Sequence, residues 1–366
     1  MLKQNYKLLV LIKKMNFNFN IIIKMNNINY IELCVGSGGL SNGFINNNFN
    51  PLLLVDNNKH CINTLLLNNY NKDVVLLEDI NNLCNNEKFT KYYTTENYNK
   101  IVDILANGSP CQSFSSIGSK KGLQDSRGNL LITFIDILKN IKPKIFLIEN
   151  VVGLTTHNKG ETLKYLIELY TQCGYNIYYK ILNSKDYNSC QNRKRIFIIG
   201  INKYFSEIPF EFPQPLNTKV VLKDVIGDLQ DIQMPGLQYN NTKIELYKNI
   251  PPGGCWKNLP IELQKQYMKK SFESGGGKTG CLRRLDSNKY SPTLLCSVIQ
   301  KQTEFCHYKH IRPLSLLEYA RIQGYPDNYK FSGSILQVYK QIGNSIDYQI
   351  SNVITKSLYK YFQLIL

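Results

Sequence analysis

The stretch IELCVGSGGLSNGF, residues 31–44, decides the fold class of this 366-residue chain. An apolar run leads here into Gly36, Ser37, Gly38 and Gly39, and a helical pattern follows. Glycines let a chain turn tightly between a strand and a helix, and they let its backbone approach a ligand closely. A glycine cluster can also be a plain turn, so the surrounding pattern has to distinguish the two.

Apolar runs alternate with helical patterns from Asn29 to about Phe212. Near-continuous apolar strands that alternate with helices indicate an α/β fold with a doubly wound, mostly parallel sheet of Rossmann-like type. Helical spacing predicts helices over residues 130–141 and 160–174, the second of which ends at Gly174. The predicted strands cover residues 30–35, 51–56, 74–79, 102–107, 144–150, 176–182 and 195–200.

The chain divides into four predicted parts. Residues 1–28 are expected to be a dispensable extension, because their apolar run is too short and too interrupted by lysines to span a membrane. Residues 29–212 and 336–366 are expected to form the sheet domain. The loop-rich segment 213–315, which follows a proline-rich linker, predicts a second and smaller domain, and residues 316–335 predict a hinge.

The formal net charge is +17. Such a charge fits an anionic partner such as nucleic acid, but an AT-rich genome that favours lysine codons would produce it equally well. The ten cysteines contain no CxxC pair, so no metal site is predicted, and the chain is expected to be a reduced, intracellular protein without a membrane partner.

Polar residues follow several of the predicted strands. Asp56 ends the second strand about twenty residues after the glycine turn, where a ribose-binding acid belongs, and Asp79 ends the third. A nucleoside-type ligand at this edge of the sheet is therefore expected.

A cysteine, a carboxylate and two arginines are predicted at the same edge. Cys111 follows Pro110 in the loop NGSPCQSFSSIG, just after a strand, and its thiolate would be a nucleophile. Glu149 ends the next apolar strand, where burial of a carboxylate is costly without a task or a partner. Arg193 and Arg195 lie two residues apart, so they are expected to point the same way and to suit a phosphate or a carboxylate.

This combination, in this order, closely resembles the DNA (cytosine-5)-methyltransferase family of the bacterial or viral restriction-modification type. The resemblance covers most of the chain. The matching segments are VGSGG, SPCQSFS, DSRGNLL (125–131), IENVVGL, QNRKRIFIIG, RPLSLLEYARIQGYPD (312–327) and YKQIGNSI (339–346).

The resemblance implies S-adenosyl-L-methionine as cofactor, lying across the strand ends. The glycine turn would hold its amino-acid part, Asp56 its ribose, Asp79 its adenine amino group, and Asn344 with Ser345 its methionine end. The full set of implied cofactor residues is Cys34, Gly36, Ser37, Gly38, Gly39, Leu40, Asp56, Asn57, Asp79, Ile80, Asn107, Leu130, Asn344 and Ser345.

The family's chemistry implies that Cys111 attacks C6 of a cytosine while Glu149 hydrogen-bonds N3 and the exocyclic amine. C5 would then receive the methyl group. Arg195 would assist near the carbonyl oxygen of the base, Arg193 would support the loop, and Pro110 would stiffen the turn that aims the thiol.

Double-stranded DNA is the implied partner, and the target base would be flipped out of the helix. The loop 113–128 is expected to close over the DNA, and residues 213–315 are expected to choose the target sequence. A monomer is expected, with a cognate restriction endonuclease possible as a separate protein. The implied DNA-contacting residues are Ser115, Lys120, Lys121, Arg127, Arg283 and Arg284.

Two departures from the family pattern stand out. Cys34 occupies a position where the family usually has an aromatic residue, and Ser189 with Cys190 replace a common proline-containing turn. The cysteine, glutamate and arginine positions are intact, so an active enzyme is expected.

Two other functions stay open from the sequence. A tRNA cytosine-5 methyltransferase would share the catalytic motifs, but the Cys-Phe-Thr element typical of such enzymes does not occur here and the target region is long. A catalytically silent DNA-binding module would not require Cys111, Glu149 and Arg195. The sequence does not indicate which DNA word is recognised.

Overall fold

The computed structural model describes residues 28–92, 102–108, 130–273 and 280–365. Among these residues a seven-stranded sheet forms the centre of the protein, in the strand order β3-β2-β1-β4-β5-β8-β6. The strands are β1 Ile28–Leu33, β2 Phe49–Asp56, β3 Val75–Leu77, β4 Ile104–Asn107, β5 Ile145–Val151, β6 Tyr175–Asn183, β7 Gln191–Asn192 and β8 Lys194–Asn202, of which β7 lies outside this sheet.

Five neighbouring strands of the sheet, from β3 to β5, run parallel. β8 lies between β5 and β6 and is antiparallel to both. The predicted α/β fold with a mostly parallel, doubly wound sheet is therefore confirmed. The antiparallel strand brings residues that begin β8 to the edge at which the parallel strands end.

Helices cover both faces of the sheet. Alternate residues of each strand point to opposite sides, and the apolar side chains on both sides are buried against helices. The helices in the described ranges are α1 Gly39–Asn46, α2 Lys59–Leu67, α3 Glu87–Thr90, α4 Leu130–Ile141, α5 Gly153–Thr156, α6 Glu161–Gln172, α7 Leu222–Ile226, α8 Asn241–Lys248, α9 Ile261–Met268, α10 Lys270–Glu273, α11 Leu316–Ile322, α12 Ile335–Asn344 and α13 Tyr348–Ile365.

Strand β5 shows how the two faces are filled. Phe146 and Ile148 belong to the core shared with α4 and α6, where Phe134 and Tyr170 are also buried. Ile145 and Leu147 belong to the opposite core, which α1 and α13 cover. α13 thus packs back on the sheet, as predicted for the C-terminal segment.

The predicted element bounds agree with the structure to within two residues. α4 covers the predicted 130–141, and α6 is followed by Gly174 at a left-handed φ of 92°. β3 ends at Leu77 rather than at Asp79, because the Asp79 carboxylate accepts a hydrogen bond from Asn81 N and begins a 3-10 turn. Ile28, assigned to the N-terminal extension, is the buried first residue of β1.

Residues 213–315 contain little regular structure beyond four short helices, in the part that the structure describes. Their two-residue strands are β9 Arg283–Arg284, β10 Ser291–Pro292 and β11 Phe305–Cys306. β10 pairs with β7, so this segment is joined by a ladder to the loop before β8.

Two cores hold this part of the molecule together. One contains Leu222 and Leu294 from the predicted second domain together with Tyr319 from the predicted hinge and Ile342 from α12. The other lies entirely within residues 213–315, and its buried members are Tyr247, Ile250, Trp256, Leu259, Met268, Cys281, Leu282 and Cys306. The predicted hinge is therefore packed into a shared core, and the four-part division of the chain stays a prediction.

Candidate active site

The glycine turn lies at the carboxyl end of β1. Gly36 and Gly38 have left-handed φ values of 57° and 81°, which glycine adopts without steric cost. Among the described residues, no atom lies within 4 Å of a Cβ added to Gly36. A Cβ on Gly39, in contrast, would lie 2.0 Å from Ser345 Oγ and 2.6 Å from the Ile346 carbonyl oxygen. The turn therefore has one open side and one side packed against the segment after α12.

Asp56 at the end of β2 holds this turn in place. Its Oδ2 accepts a hydrogen bond from Gly36 N at 2.8 Å, and its Oδ1 accepts one from Asn58 N at 2.8 Å. Burial raises the pKa of Asp56, against the two backbone N–H groups, which lower it. Each carboxylate oxygen keeps a second lone pair, so the group can still accept from a ligand hydroxyl.

The next strand end carries Asp79 and Asn57. Asp79 Oδ1 accepts from Asn81 N at 2.9 Å, and its Oδ2 accepts from Asn57 Nδ2 at 3.0 Å. The hydrogen bond from Asn81 N holds the pKa of Asp79 below its ordinary value. Ile80 is buried beneath them. The structure thus brings together the acid and the amide predicted to meet a nucleoside.

The other predicted cofactor residues differ in what they expose. Cys34 is half-buried and has a φ of 55°, so it begins the left-handed turn. Asn344 is exposed. The buried members are Ser37, Leu40, Asn107, Leu130 and Ser345.

Glu149 and Arg195 form an ion pair across the two antiparallel strands. Glu149 pairs in register with Phe197, and Arg195 pairs with Val151, so the two charged side chains are diagonal neighbours on one face. Arg195 Nε lies 2.9 Å from Glu149 Oε1. Because Glu149 is only 7% exposed, the guanidinium supplies the partner that a buried carboxylate requires.

Arg193 has a different set of partners. Its Nη1 donates to the Leu294 carbonyl at 3.0 Å, and its Nη2 donates to the carbonyls of Gly343 and Ser345 at 3.2 and 2.9 Å. Burial lowers the pKa of Arg193 to about 9. Of the two predicted arginines, only Arg195 is paired with Glu149, whereas Arg193 donates to three carbonyls in two backbone segments.

The predicted catalytic and DNA-closing residues Pro110, Cys111, Ser115, Lys120, Lys121 and Arg127 lie outside the described residues. The strand that leads to them is described. Asn107 at the end of β4 is opposite Ile148 of β5, and Gly108 N donates to the Leu33 carbonyl of β1 at 3.1 Å. The chain toward Cys111 therefore leaves the sheet between the glycine turn and Glu149.

Arg283 and Arg284, the two described arginines among the predicted DNA contacts, bind backbone carbonyls of their own region. Arg283 Nη2 donates to Gln302 O at 2.9 Å, and the guanidinium lies 4.3 Å from the Phe305 ring centroid. Arg284 donates to Ile250 O at 2.9 Å and to Lys309 O at 3.0 Å. These contacts fix the loops of the small core, and both side chains remain half-exposed.

Sequence analysis missed Glu32, which lies inside β1 two residues before Cys34. It is 1% exposed, Ser41 Oγ donates to its Oε2 at 2.5 Å, and burial raises its pKa to about 8. The signal was a carboxylate within an apolar strand, the same signal that selected Glu149. Glu32 is thus tied to Ser41 of α1, the helix that follows the glycine turn.

Neither a metal centre nor a membrane-spanning helix is found among the described residues. Within these residues, His, Cys, Asp and Glu side chains nowhere form a group of three that could hold a metal ion. The helices of the same part of the chain include none that is long and apolar enough to cross a membrane.

Residues 28–360 match the family model of the C-5 cytosine-specific DNA methylases. The chain belongs to this family. It is 39% identical over 341 residues to the type II methyltransferase M.Sau96I of Staphylococcus aureus. This alignment covers 92% of this chain and 77% of that protein. It is also 39% identical over 343 residues to the type II methyltransferase M.Eco47II of Escherichia coli, covering 92% and 80%.

Solved structures agree with the fold. A DNA modification methyltransferase encoded within a prophage (E. coli) has a TM-score of 0.67 at 25% identity, covering 92% of this chain and all of that one. The Entamoeba histolytica methyltransferase EhMeth has a TM-score of 0.62 at 17% identity, covering 92% and 99%. The second likeness concerns the fold alone.

The predicted family, fold and reaction are thus confirmed. The chain is a DNA (cytosine-5)-methyltransferase of the restriction-modification type, and S-adenosylmethionine is its methyl donor. The expectation that DNA rather than tRNA is the substrate class agrees with the family and with the names of the relatives.

Proposed function

We propose that one edge of the sheet, from the glycine turn to Arg195, methylates a flipped cytosine through a covalent bond to Cys111. The observation that carries the proposal is the strand order β1-β4-β5-β8. It aligns the glycine turn, the exit toward Cys111, Glu149 and Arg195 in sequence along the edge where open α/β sheets bind ligands.

The residues of the first half of this edge fit S-adenosylmethionine. Open space beside Gly36 lets a ligand approach the backbone, and the Asp56 carboxylate can accept from ribose hydroxyls. Asp79 and Asn57 offer polar groups for the adenine amino group. The exposed Asn344 is the proposed contact for the methionine end. When bound, the cofactor supplies an electrophilic methyl group on its sulfonium.

The second half of the edge is proposed to activate the cytosine. The Cys111 thiolate forms a bond to C6 as the C5=C6 double bond opens, a proton passes from the Glu149 carboxyl group to N3, and the other Glu149 oxygen accepts from the exocyclic amine, so that C5 becomes the electron-rich end of an enamine. Arg195 Nε orients the Glu149 carboxyl group and brings positive charge close to the base. After C5 has been methylated, loss of its proton and departure of the thiolate restore the ring.

The partners of the enzyme form a further part of the proposal. We expect residues 213–315 to read a short sequence in double-stranded DNA, with phosphate contacts that use the positive charge of the chain. The names of the type II relatives support a separate cognate restriction endonuclease. We also expect the enzyme to act as a monomer inside the cell.

Bisulfite sequencing of plasmid DNA and bulk tRNA tests the proposed nucleophile and target. A bacterial host without its own methylation would express the wild type, Cys111→Ala and the control Cys173→Ala, which alters a half-buried cysteine after α6. Wild type and Cys173→Ala should protect plasmid cytosines in one short context, whereas Cys111→Ala should protect none.

Two outcomes would contradict the proposal. Protection that persists in Cys111→Ala would remove this cysteine as the nucleophile. Protection confined to tRNA would reassign the substrate, and the same samples report it directly.

A further inference from the structure

Three hydroxyl groups from distant parts of the chain meet beneath the glycine turn. Tyr325 OH lies 2.8 Å from Ser37 Oγ and 2.6 Å from Ser345 Oγ. Tyr325 is 3% exposed, Ser37 is 1% and Ser345 is 6%, so water does not compete for these contacts. Ser37 belongs to the turn, Ser345 follows α12, and Tyr325 follows α11.

An aromatic cluster fixes Tyr325 in this position. Its ring lies 4.7 Å from the ring centroid of Tyr329 and 5.1 Å from that of Phe331. Tyr329 OH donates to the Ser37 carbonyl at 2.7 Å. The segment 325–331 therefore holds both the side chain and the backbone of Ser37.

The family resemblance counts both serines among the residues that contact the cofactor. Their hydroxyls instead bond Tyr325, and Ser345 Oγ also donates to the Ile346 carbonyl at 3.1 Å. Ser37 Oγ has a second acceptor in the Gln341 carbonyl, at 3.3 Å. Since these hydroxyls point into the protein, their role is to join the turn to the segment after α12.

We propose that Tyr325 is a positioning residue for the methyl donor, whose hydroxyl holds the glycine turn against the segment of Ser345. This inference rests on the proposed location of the cofactor. Without the bridge, the turn would be held to the segment that carries Asn344 by fewer contacts, and part of the binding free energy would be spent on fixing the two together.

The test compares two buried tyrosines that each lose one hydroxyl. Tyr325→Phe removes the bridge. Tyr175→Phe is the matched control. Tyr175 begins β6, is 1% exposed, and its OH donates to the Pro143 carbonyl at 2.9 Å. Calorimetry on the full chain would measure the Kd of S-adenosylmethionine, and gel shifts would measure the Kd of a DNA fragment that contains the methylated site.

Tyr325→Phe should raise the S-adenosylmethionine Kd about tenfold, the equivalent of one lost buried hydrogen bond. The Kd for DNA should change less than about twofold, and kcat at saturating cofactor should stay close to that of wild type. Tyr175→Phe should lower the urea midpoint about as much as Tyr325→Phe does. It should leave the cofactor Kd unchanged. A loss of cofactor affinity in both variants would indicate a general effect of destabilisation and would overturn the inference.

A double-mutant background shows whether Tyr325 acts through the serines. In Ser37→Ala/Ser345→Ala, the further change Tyr325→Phe should raise the cofactor Kd by much less than tenfold, because only the longer contact of Tyr325 OH with the Ser37 carbonyl, at 3.3 Å, is left to lose. The full tenfold loss in that background would overturn the inference, because Tyr325 would then act by another route.

Asp56→Asn separates this inference from the proposed function. If Asp56→Asn weakens cofactor binding and Tyr325→Phe does not, Tyr325 has no positioning role, although the proposed site stands. If Asp56→Asn has no effect, the proposed site is wrong and the inference fails with it.

Discussion

Glu32 should make the folded protein lose stability as the pH rises. Burial raises the pKa of this carboxyl group from 4.5 to about 8, with a smaller contribution from Asp56, while the hydrogen bond from Ser41 lowers it. Between these two values the folded state holds a proton that the unfolded chain releases. The free energy of unfolding therefore falls by up to about 1.4 kcal/mol per pH unit across this window and changes little above pH 8.

Glu32→Gln should remove this dependence, because an amide does not ionise. The difference in free energy of unfolding between Glu32→Gln and wild type should grow in favour of the variant from pH 5.5 to 8. Its upper limit is about 3 kcal/mol, since the 1%-exposed side chain has almost no screening by water. Urea unfolding of both proteins at pH 5.5, 6.5, 7.5 and 8.5 would measure it.

Glu318→Gln provides the matched control. Glu318 is 0% exposed. Burial raises the pKa of Glu318, but the hydrogen bonds from Arg312 and Ser315 lower it by more, so the pKa lies below its ordinary value. The stability that it contributes is lost only when the pH falls below about 4.5, so this variant should be destabilised by a nearly constant amount from pH 5.5 to 8.5. A constant difference for Glu32→Gln as well would refute a protonated Glu32.

The remaining predictions concern the packed side of the turn and the two arginines. Gly39→Ala should weaken S-adenosylmethionine binding at least tenfold in calorimetry, because its Cβ would lie 2.6 Å from the Ile346 carbonyl oxygen. The control Gly174→Ala should lower only the urea midpoint, because no described atom lies within 4 Å of its Cβ although its φ of 92° is strained for alanine. Unchanged cofactor affinity in Gly39→Ala would show that the segment after α12 yields easily. Arg193→Lys should lower the free energy of unfolding, measured in urea, by about 3 kcal/mol, because an ammonium group cannot reach all three carbonyls. Arg195→Lys should keep the urea midpoint of the wild type and lower kcat. Equal loss of stability in the two lysine variants would contradict the separate roles.

Much of the fold could be predicted because apolar periodicity reports burial. All seven predicted strands are present, and α4 has its predicted bounds. Periodicity contains no information on strand direction, however, so the insertion of β8 between β5 and β6, antiparallel to both, could not be predicted. The packing of the expected hinge into a shared core also depends on contacts that are distant in sequence.

The site was predictable where a charged residue ends an apolar strand. Asp56 and Glu149 were selected in this way, and both lie at the predicted edge. Residue type alone could not separate Arg193 from Arg195, because the distinction depends on carbonyl groups as far away as Ser345. Tyr325 gave no signal, since one of its partners precedes it by 288 positions.

The close packing of the glycine turn also affects the order in which the enzyme becomes competent during translation. The turn at Gly36–Gly39 leaves the ribosome before most of the sheet, whereas Ser345 and Ile346, which pack against it, are made after every described strand. For most of its synthesis a nascent chain therefore has only half of the proposed methyl-donor site. Residues 213–315, the segment proposed to read the DNA sequence, are encoded between the two halves. Every chain that has both halves therefore also has this segment, so we expect no truncated chain to methylate DNA without a means of choosing its site.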